Sequence, residues 1–164
     1  MFDPETLARA AAVLRLCRDR GWRVATAESC TGGLVAAALI AIAGASEVVE
    51  RGFVTYSNRA KTELLGVSAE TIAAEGAVSA ETAAAMAQGA VSRAGVDLAV
   101  SVTGIAGPGG ASAEKPLGLV YVGVARRGGP ARAERRIFPG DRTAVREAAL
   151  KLALELLEEE ARRG

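Results

Sequence analysis

The sequence predicts an α/β fold, a three-layer α/β/α sandwich around a mixed, mostly parallel sheet. Three observations carry this expectation. Early in the chain, apolar stretches of strand length alternate with helical patterns, which implies parallel crossovers. Later, LGLVYVGVARR and ARAERRIF flank the turn GGP and read as a β-hairpin, adding antiparallel strands. No linker interrupts the 164 residues, and half of them are apolar, enough for one core. Residues 1–164 are therefore expected to form a single domain.

The elements follow in order. DPETLARAAAVLRLCRDRG has Asp3 as N-cap, Pro4 at the first helical position and Gly21 at the stop. Leu7, Ala11, Leu14 and Cys17 or Arg18 keep helical spacing within it. WRVATA reads as a strand. TGGLVAAALIAIAG reads as a helix, apolar nearly all round, which predicts burial. EVVERGFVTYS reads as a strand with a break near Gly52, and NRAKTELLG as a short helix capped by Asn58. SAETIAAEG from Ser68 and SAETAAAMAQGAVSRAG from Ser79 repeat one capping device, serine at the N-cap and glutamate in the first turn. The repeat is too short to signal a repeat architecture. DLAVSVTG is a fully buried strand, and GDRTAVREAALKLALELLEEEARR a long last helix capped by Asp141.

Composition excludes several classes. With 20 basic and 19 acidic side chains, the formal charge of +1 gives no general field for nucleic acid or an anionic membrane. The longest apolar stretch, Leu34 to Ala43, is too short to span a bilayer. MFDPETLARA lacks the order of a signal peptide, so a cytoplasmic location is expected. Two cysteines, Cys17 and Cys30, make no disulfide framework, and without histidine they argue against a zinc site. No metal and no cofactor is expected. The lack of histidine also removes the commonest base at neutral pH. A hydrolase built from this chain would need lysine, a carboxylate, tyrosine, cysteine or a metal. Lys61, Lys115 and Lys151 are its only lysines.

Three stretches lie at predicted strand ends, where sites gather in such sheets. The first, TAESCTGG, places Glu28, Ser29, Cys30, Thr31, Gly32 and Gly33 at a strand-to-helix junction. A helix start offers unpaired N–H groups, so a hydroxyl there can act as a nucleophile beside an oxyanion hole. Ser29 or Thr31 could equally serve only as the helix cap. The stretch does not fit Gly-x-Ser-x-Gly, since Ala27 and Thr31 occupy the glycine places. Cys30 is expected to be a packed neighbour. The second stretch, TYSNRAK, offers Tyr56, Ser57 and Lys61. A lysine becomes a general base when burial or a nearby cation lowers its proton affinity; otherwise Lys61 is a solvated side chain on a short helix. The third, TGIAGPGG, is a glycine-rich turn able to form an anion-binding nest, and is neither a P-loop nor Gly-x-Gly-x-x-Gly. Ser112 to Lys115, SAEK, matches Ser-x-x-Lys formally, but Pro116 breaks the helix that pair needs; it reads as a decoy, with a mobile flap as its role. Arg142, in the first turn of the last helix, is oddly placed against the helix dipole unless a phosphate meets it there. A solvated arginine beside the cap Asp141 is the plain alternative.

Taken together, TAESCTGG, ERGFVTYSNRAKTELLGV, GAVS, TGIAGPGG…EKPLGLVYVGVA and FPGDRTAVRE resemble the CinA C-terminal domain family. The match runs in order over nearly the whole chain; GPGGASAEKP departs from the pattern by lacking an acidic residue near its second or third glycine. The resemblance implies a nicotinamide-nucleotide amidohydrolase, converting nicotinamide mononucleotide (NMN) and water to nicotinate mononucleotide and ammonia. It implies Ser29 as nucleophile, Lys61 as base, and Tyr56 and Ser46 in support. Glu28, Thr31, Gly32 and Gly33 would flank the substrate. Thr103, Gly104, Ile105 and Gly107 would line the nucleotide site, and Arg142 would meet the phosphate. The larger members carry an added N-terminal domain of the molybdopterin-binding type, which is not expected in 164 residues. A homodimer or higher homo-oligomer is expected from the family and the apolar helices. The competing expectations are a non-catalytic nucleotide-binding or interaction module linked to competence or DNA damage, and a phosphatase, which would lack clustered carboxylates for its metal.

Overall fold

The computed structural model describes residues 1–164. Eleven helices and strands follow the predicted order, with one 3-10 turn added: α1 (Pro4–Arg20), β1 (Val24–Glu28), α2 (Leu34–Ile40), a 3-10 turn (Ala45–Glu47), β2 (Val49–Val54), α3 (Asn58–Leu65), α4 (Ala69–Glu75), α5 (Ala80–Ala94), β3 (Leu98–Gly104), β4 (Leu119–Arg126), β5 (Arg132–Ile137) and α6 (Arg142–Arg163). The strands form one sheet in the order β2-β1-β3-β4-β5. β1 runs parallel to β2 and to β3. β4 turns back against β3, and β5 against β4, so four of the five strands point one way. The sheet is mixed and mostly parallel, as expected.

The buried faces explain the layers. β1 and β3 are buried almost throughout and covered on both sides, as parallel central strands must be. On one face lies a core from α1, α2 and α6, with Val13, Leu14, Leu39, Leu154 and Leu157 against Val24, Leu98 and Val122. On the other, Met86, Ala87 and Ala90 of α5 pack with Leu65, Ala25 and Ala99. Gly89 sets the distance between α3 and α5: a Cβ there would overlap the carbonyl oxygen of Leu65.

Capping is largely as the sequence implies. Asp3, Ser68, Ser79 and Asp141 each accept a hydrogen bond from a first-turn N–H. Three expectations are corrected. Ser57, not Asn58, caps α3, its hydroxyl accepting from the Ala60 N–H at 3.0 Å. β2 runs on through Gly52, where a side chain would collide with Thr26 and Ala36; the irregularity lies just before it, where Val49 and Arg51 face the successive residues Val24 and Ala25 and leave Glu50 as an extra residue. α2 is only seven residues long and is not buried all round. Val35, Ala38 and Leu39 face the core, whereas Ile40 is 62% exposed.

The topology creates the crevice. β1 hands the chain to α2 on one face, and its neighbour β2 hands it to α3 on the other. Between two such diverging connections, at the carboxyl ends of the strands, an open α/β sheet leaves room for a ligand.

Candidate active site

Ser29 follows β1 directly, and its N–H donates to the Val102 carbonyl at 2.9 Å, continuing the β1–β3 ladder. Thr55 follows β2 and is held likewise, donating to the Glu28 carbonyl at 2.8 Å. The two connections thus leave the sheet side by side. Lys61 and Leu65 lie one turn apart on α3 and are its buried positions. Side chains on a helix lean toward its N-terminus, which carries the Lys61 amine back over the start of α3.

Lys61 Nζ lies 3.1 Å from Ser29 Oγ, 2.8 Å from the Thr55 carbonyl and 3.4 Å from the Tyr56 carbonyl. The side chain is 1% exposed and Ser29 is 8% exposed. No carboxylate is hydrogen-bonded to the amine. Burial disfavours the ammonium form and pulls the lysine below its ordinary value of 10.5. A neutral amine has two N–H groups and one lone pair. With the N–H groups given to the two carbonyls, the lone pair is left for the Ser29 hydroxyl, the arrangement of a general base and its nucleophile. Cys30 is no rival, because burial pushes its thiol up to about 11.

The pair opens into a cavity of about 250 Å³. Of the predicted residues, Ser29, Tyr56, Lys61, Thr103, Gly104, Ile105, Gly107 and Arg142 line it. Its only basic lining side chains are Lys61 and Arg142. Arg142 bridges the mouth: its Nη1 donates to the Gly107 carbonyl at 2.8 Å and its Nη2 to the Tyr56 hydroxyl at 3.0 Å. Thr103 donates its hydroxyl to the Ala77 carbonyl at 2.8 Å, bracing the facing wall.

Several predicted residues are placed differently. Glu28 is buried beneath the site, its carboxylate accepting from the N–H groups of Gly33, Val35 and Ala36 at 2.9–3.1 Å. It closes the start of α2 instead of facing a ligand, and so removes those N–H groups from any oxyanion hole. Gly32 and Gly33 take positive φ of 58° and 103° in the turn that brings Glu28 under the helix. Thr31 is fully buried, with its hydroxyl unpartnered, and does not line the cavity. The Tyr56 ring is 63% exposed and its hydroxyl serves Arg142; only its backbone carbonyl reaches Lys61. Ser46 is not brought to the site. It lies exposed in the 3-10 turn before β2, at the amino ends of the parallel strands and so at the opposite end of the sheet. The flap expected around Lys115 is tied down, since its Nζ donates to the Glu75 and Val78 carbonyls at 2.7 and 2.8 Å.

Sequence reasoning missed Asn58, Ala77 and Val78 as lining residues. It also missed Arg146, which donates from Nε to the Cys30 carbonyl at 2.9 Å and from Nη2 to the Thr31 carbonyl at 3.1 Å. RTAVR carried a signal for it, because arginines four apart on a helix share a face.

Fold and site together define the class: the chain belongs to the CinA C-terminal domain family, which matches residues 6–161. It is 48% identical to the nicotinamide-nucleotide amidohydrolase PncC of Escherichia coli strain K12 over 157 residues, 96% of this chain and 95% of that one. Against the PncC of Enterobacter agglomerans it is 54% identical over 138 residues, 84% of each protein. A putative competence-damage inducible protein of Caldicellulosiruptor saccharolyticus is 49% identical over 156 residues, 95% of this chain, which spans only 37% of that longer relative. Among solved structures, the competence/damage inducible protein CihA from Agrobacterium tumefaciens matches with a TM-score of 0.92 at 49% identity, covering 96% of both chains. No helix is long and apolar enough to cross a membrane.

Proposed function

We propose that this chain hydrolyses the carboxamide of NMN, giving nicotinate mononucleotide and ammonia in pyridine nucleotide salvage, with Ser29 as nucleophile and Lys61 as base. The observation that carries the proposal is the buried Lys61 amine 3.1 Å from Ser29 Oγ with no carboxylate bonded to it. The amidohydrolase names of the relatives that match most of the chain support the substrate.

The geometry supports the following steps. Ser29 Oγ adds to the amide carbon while its proton passes to Lys61 Nζ. Collapse breaks the C–N bond, and Lys61 returns the proton to the departing ammonia. Water then attacks the ester; Lys61 accepts its proton and restores it to Ser29 Oγ as the acid leaves. The pyridinium of the substrate is cationic, so its approach lowers the proton affinity of Lys61 further. Arg142 at the mouth suits the phosphate as partner, giving up its bond to Tyr56 or sharing it. The assembly we infer is a homodimer or higher homo-oligomer, supported by the exposed Ile40 face of α2; a monomer at all concentrations in sedimentation would overturn it.

Incubation with NMN and separate assays for ammonia and nicotinate mononucleotide test the activity. Ser29→Ala and Lys61→Ala should each lower kcat by about 10³-fold or more while remaining folded. Full turnover by either variant would reject the dyad. NMN binding without turnover by the intact chain would instead favour a nucleotide-binding module, and release of inorganic phosphate a phosphatase.

A further inference from the structure

The polar side chains that line the cavity are, with one exception, already committed. Ser29 Oγ faces Lys61 Nζ, and that amine is shared with the Thr55 and Tyr56 carbonyls. The Tyr56 hydroxyl accepts from Arg142, whose other arm holds the Gly107 carbonyl. The Thr103 hydroxyl donates to the Ala77 carbonyl. Cys30 offers only a thiol, a weak hydrogen-bonding group. The exception is Asn58. It does not cap α3, because Ser57 takes that place, and its carboxamide bonds to no other group of the protein. Asn58 therefore brings two donor hydrogens and one acceptor oxygen to the cavity lining, all uncommitted.

Its height on the wall follows from α3. Asn58 and Lys61 are three residues apart and share a face of that helix. Lys61 is 1% exposed and closes the deep end beside Ser29, whereas Asn58 is exposed. Tyr56, two residues earlier, holds Arg142 at the mouth. The wall thus runs from the reacting pair through Asn58 to the arginine. A nicotinamide nucleotide has the same order, with carboxamide and ring first, ribose next and phosphate last.

We propose that Asn58 reads the ribose hydroxyls of the substrate, its Oδ1 accepting from one and its Nδ2 donating to the other, and so favours a ribonucleotide over its deoxy counterparts. This rests on the amide hydrolysis proposed above, which sets the carboxamide at Ser29 and the phosphate at Arg142. The choice of an amide has a physical reason. Carboxylates commonly bind ribose hydroxyls in nucleotide sites, yet none lines this cavity. An anion one helical turn from Lys61 would favour its ammonium form and oppose the desolvation that makes it a base. A neutral amide binds the diol without adding that charge.

The test measures kcat/KM of the unmodified chain and of Asn58→Ala on NMN and on its 2′-deoxy and 3′-deoxy analogues. Asn58 is exposed and caps nothing, and alanine favours helix, so the variant should fold. The unmodified chain should prefer NMN to at least one analogue by about 5- to 10-fold, the worth of one hydrogen bond. Asn58→Ala should lose about that factor on NMN and almost nothing on that analogue, so the preference disappears. Three results overturn the proposal: no preference in the unmodified chain, a preference that survives in the variant, or an equal loss on all three substrates, since a merely structural role does not depend on the hydroxyl. If the unmodified chain does not hydrolyse NMN at all, the amidohydrolase reading fails on its own. Equilibrium binding of NMN and the two analogues to both proteins, measured by calorimetry, then decides the ribose contact by the same pattern.

Discussion

At the scale of the residue, one side chain decides the chemistry. Lys61 is enclosed with two carbonyls and a hydroxyl, all able to accept, and no anion bonded to it. An ammonium could donate to all three, so hydrogen bonding alone does not select the base form. Desolvation does, by disfavouring the charge and lowering the lysine from 10.5. The sign for catalysis follows. The proposed reaction needs the neutral amine, so kcat should rise with pH as Lys61 loses its proton, then level off below the ordinary lysine range. Histidine is absent from the chain, and the Cys30 thiol titrates only near about 11, so neither offers another origin for such a limb. A pH profile of kcat at saturating NMN measures it; a rate that falls as pH rises toward about 10 would remove Lys61 as the base.

At the scale of the element, the cavity is a gap between connections, and its width depends on what ties them. One wall is the β3–β4 connection from Ile105 to Gly110, the other the α4–α5 joint at Ala77 and Val78. Lys115 joins them, donating to the Glu75 and Val78 carbonyls from the far end of the β3–β4 connection. The Ser112 hydroxyl accepts from the Lys115 N–H, and the Ser112 N–H donates to the Lys115 carbonyl, so the bolt is itself mounted on a tight turn. Lys115→Met removes two hydrogen bonds of about 1 kcal/mol each at most, since one is exposed. The expected result is a KM for NMN raised about 3- to 10-fold with kcat nearly unchanged, because the wall contacts substrate and transition state alike. Steady-state kinetics decides; a lowered kcat at constant KM would show that the loop serves the reaction itself. Arg142 belongs to the same class of tie, spanning from α6 to Gly107 and Tyr56 across the opposite side of the mouth.

At the scale of the whole molecule, the element order was legible because strand-length apolar runs, serine caps and glycine stops agree along the chain. Ser29 and Lys61 were legible for a related reason: each follows a strand on its way into a helix, and neighbouring parallel strands bring such ends together. What was not legible depends on where one element lies against another. The cap of α2 comes from Glu28, five to eight residues ahead of the N–H groups it serves, beyond the reach of any local capping pattern. The exposure of Ile40 could not be read from α2 alone, since composition does not say which face another helix will cover. Ser46, which the family resemblance implied as a supporting residue, falls at the wrong end of β2. The carbonyls of Thr55 and Tyr56 carry no side-chain signature at all. The fold that gathers these groups also bears a cost for the lysine it encloses, and that cost has a definite pH dependence. In the unfolded chain Lys61 titrates near 10.5, and in the folded one below it. Between the two values the unfolded state binds more protons, so the free energy of unfolding rises with pH through that window and the penalty is complete below it. Lys61→Met keeps much of the side chain's bulk and removes the titration. Urea unfolding of both proteins at a series of pH values up to about 10 should show the unmodified chain gaining stability relative to Lys61→Met as pH rises. A stability relative to Lys61→Met that stays constant, or that falls as pH rises, would mean that the fold does not favour the neutral amine, and the base assigned to Ser29 would fall with it.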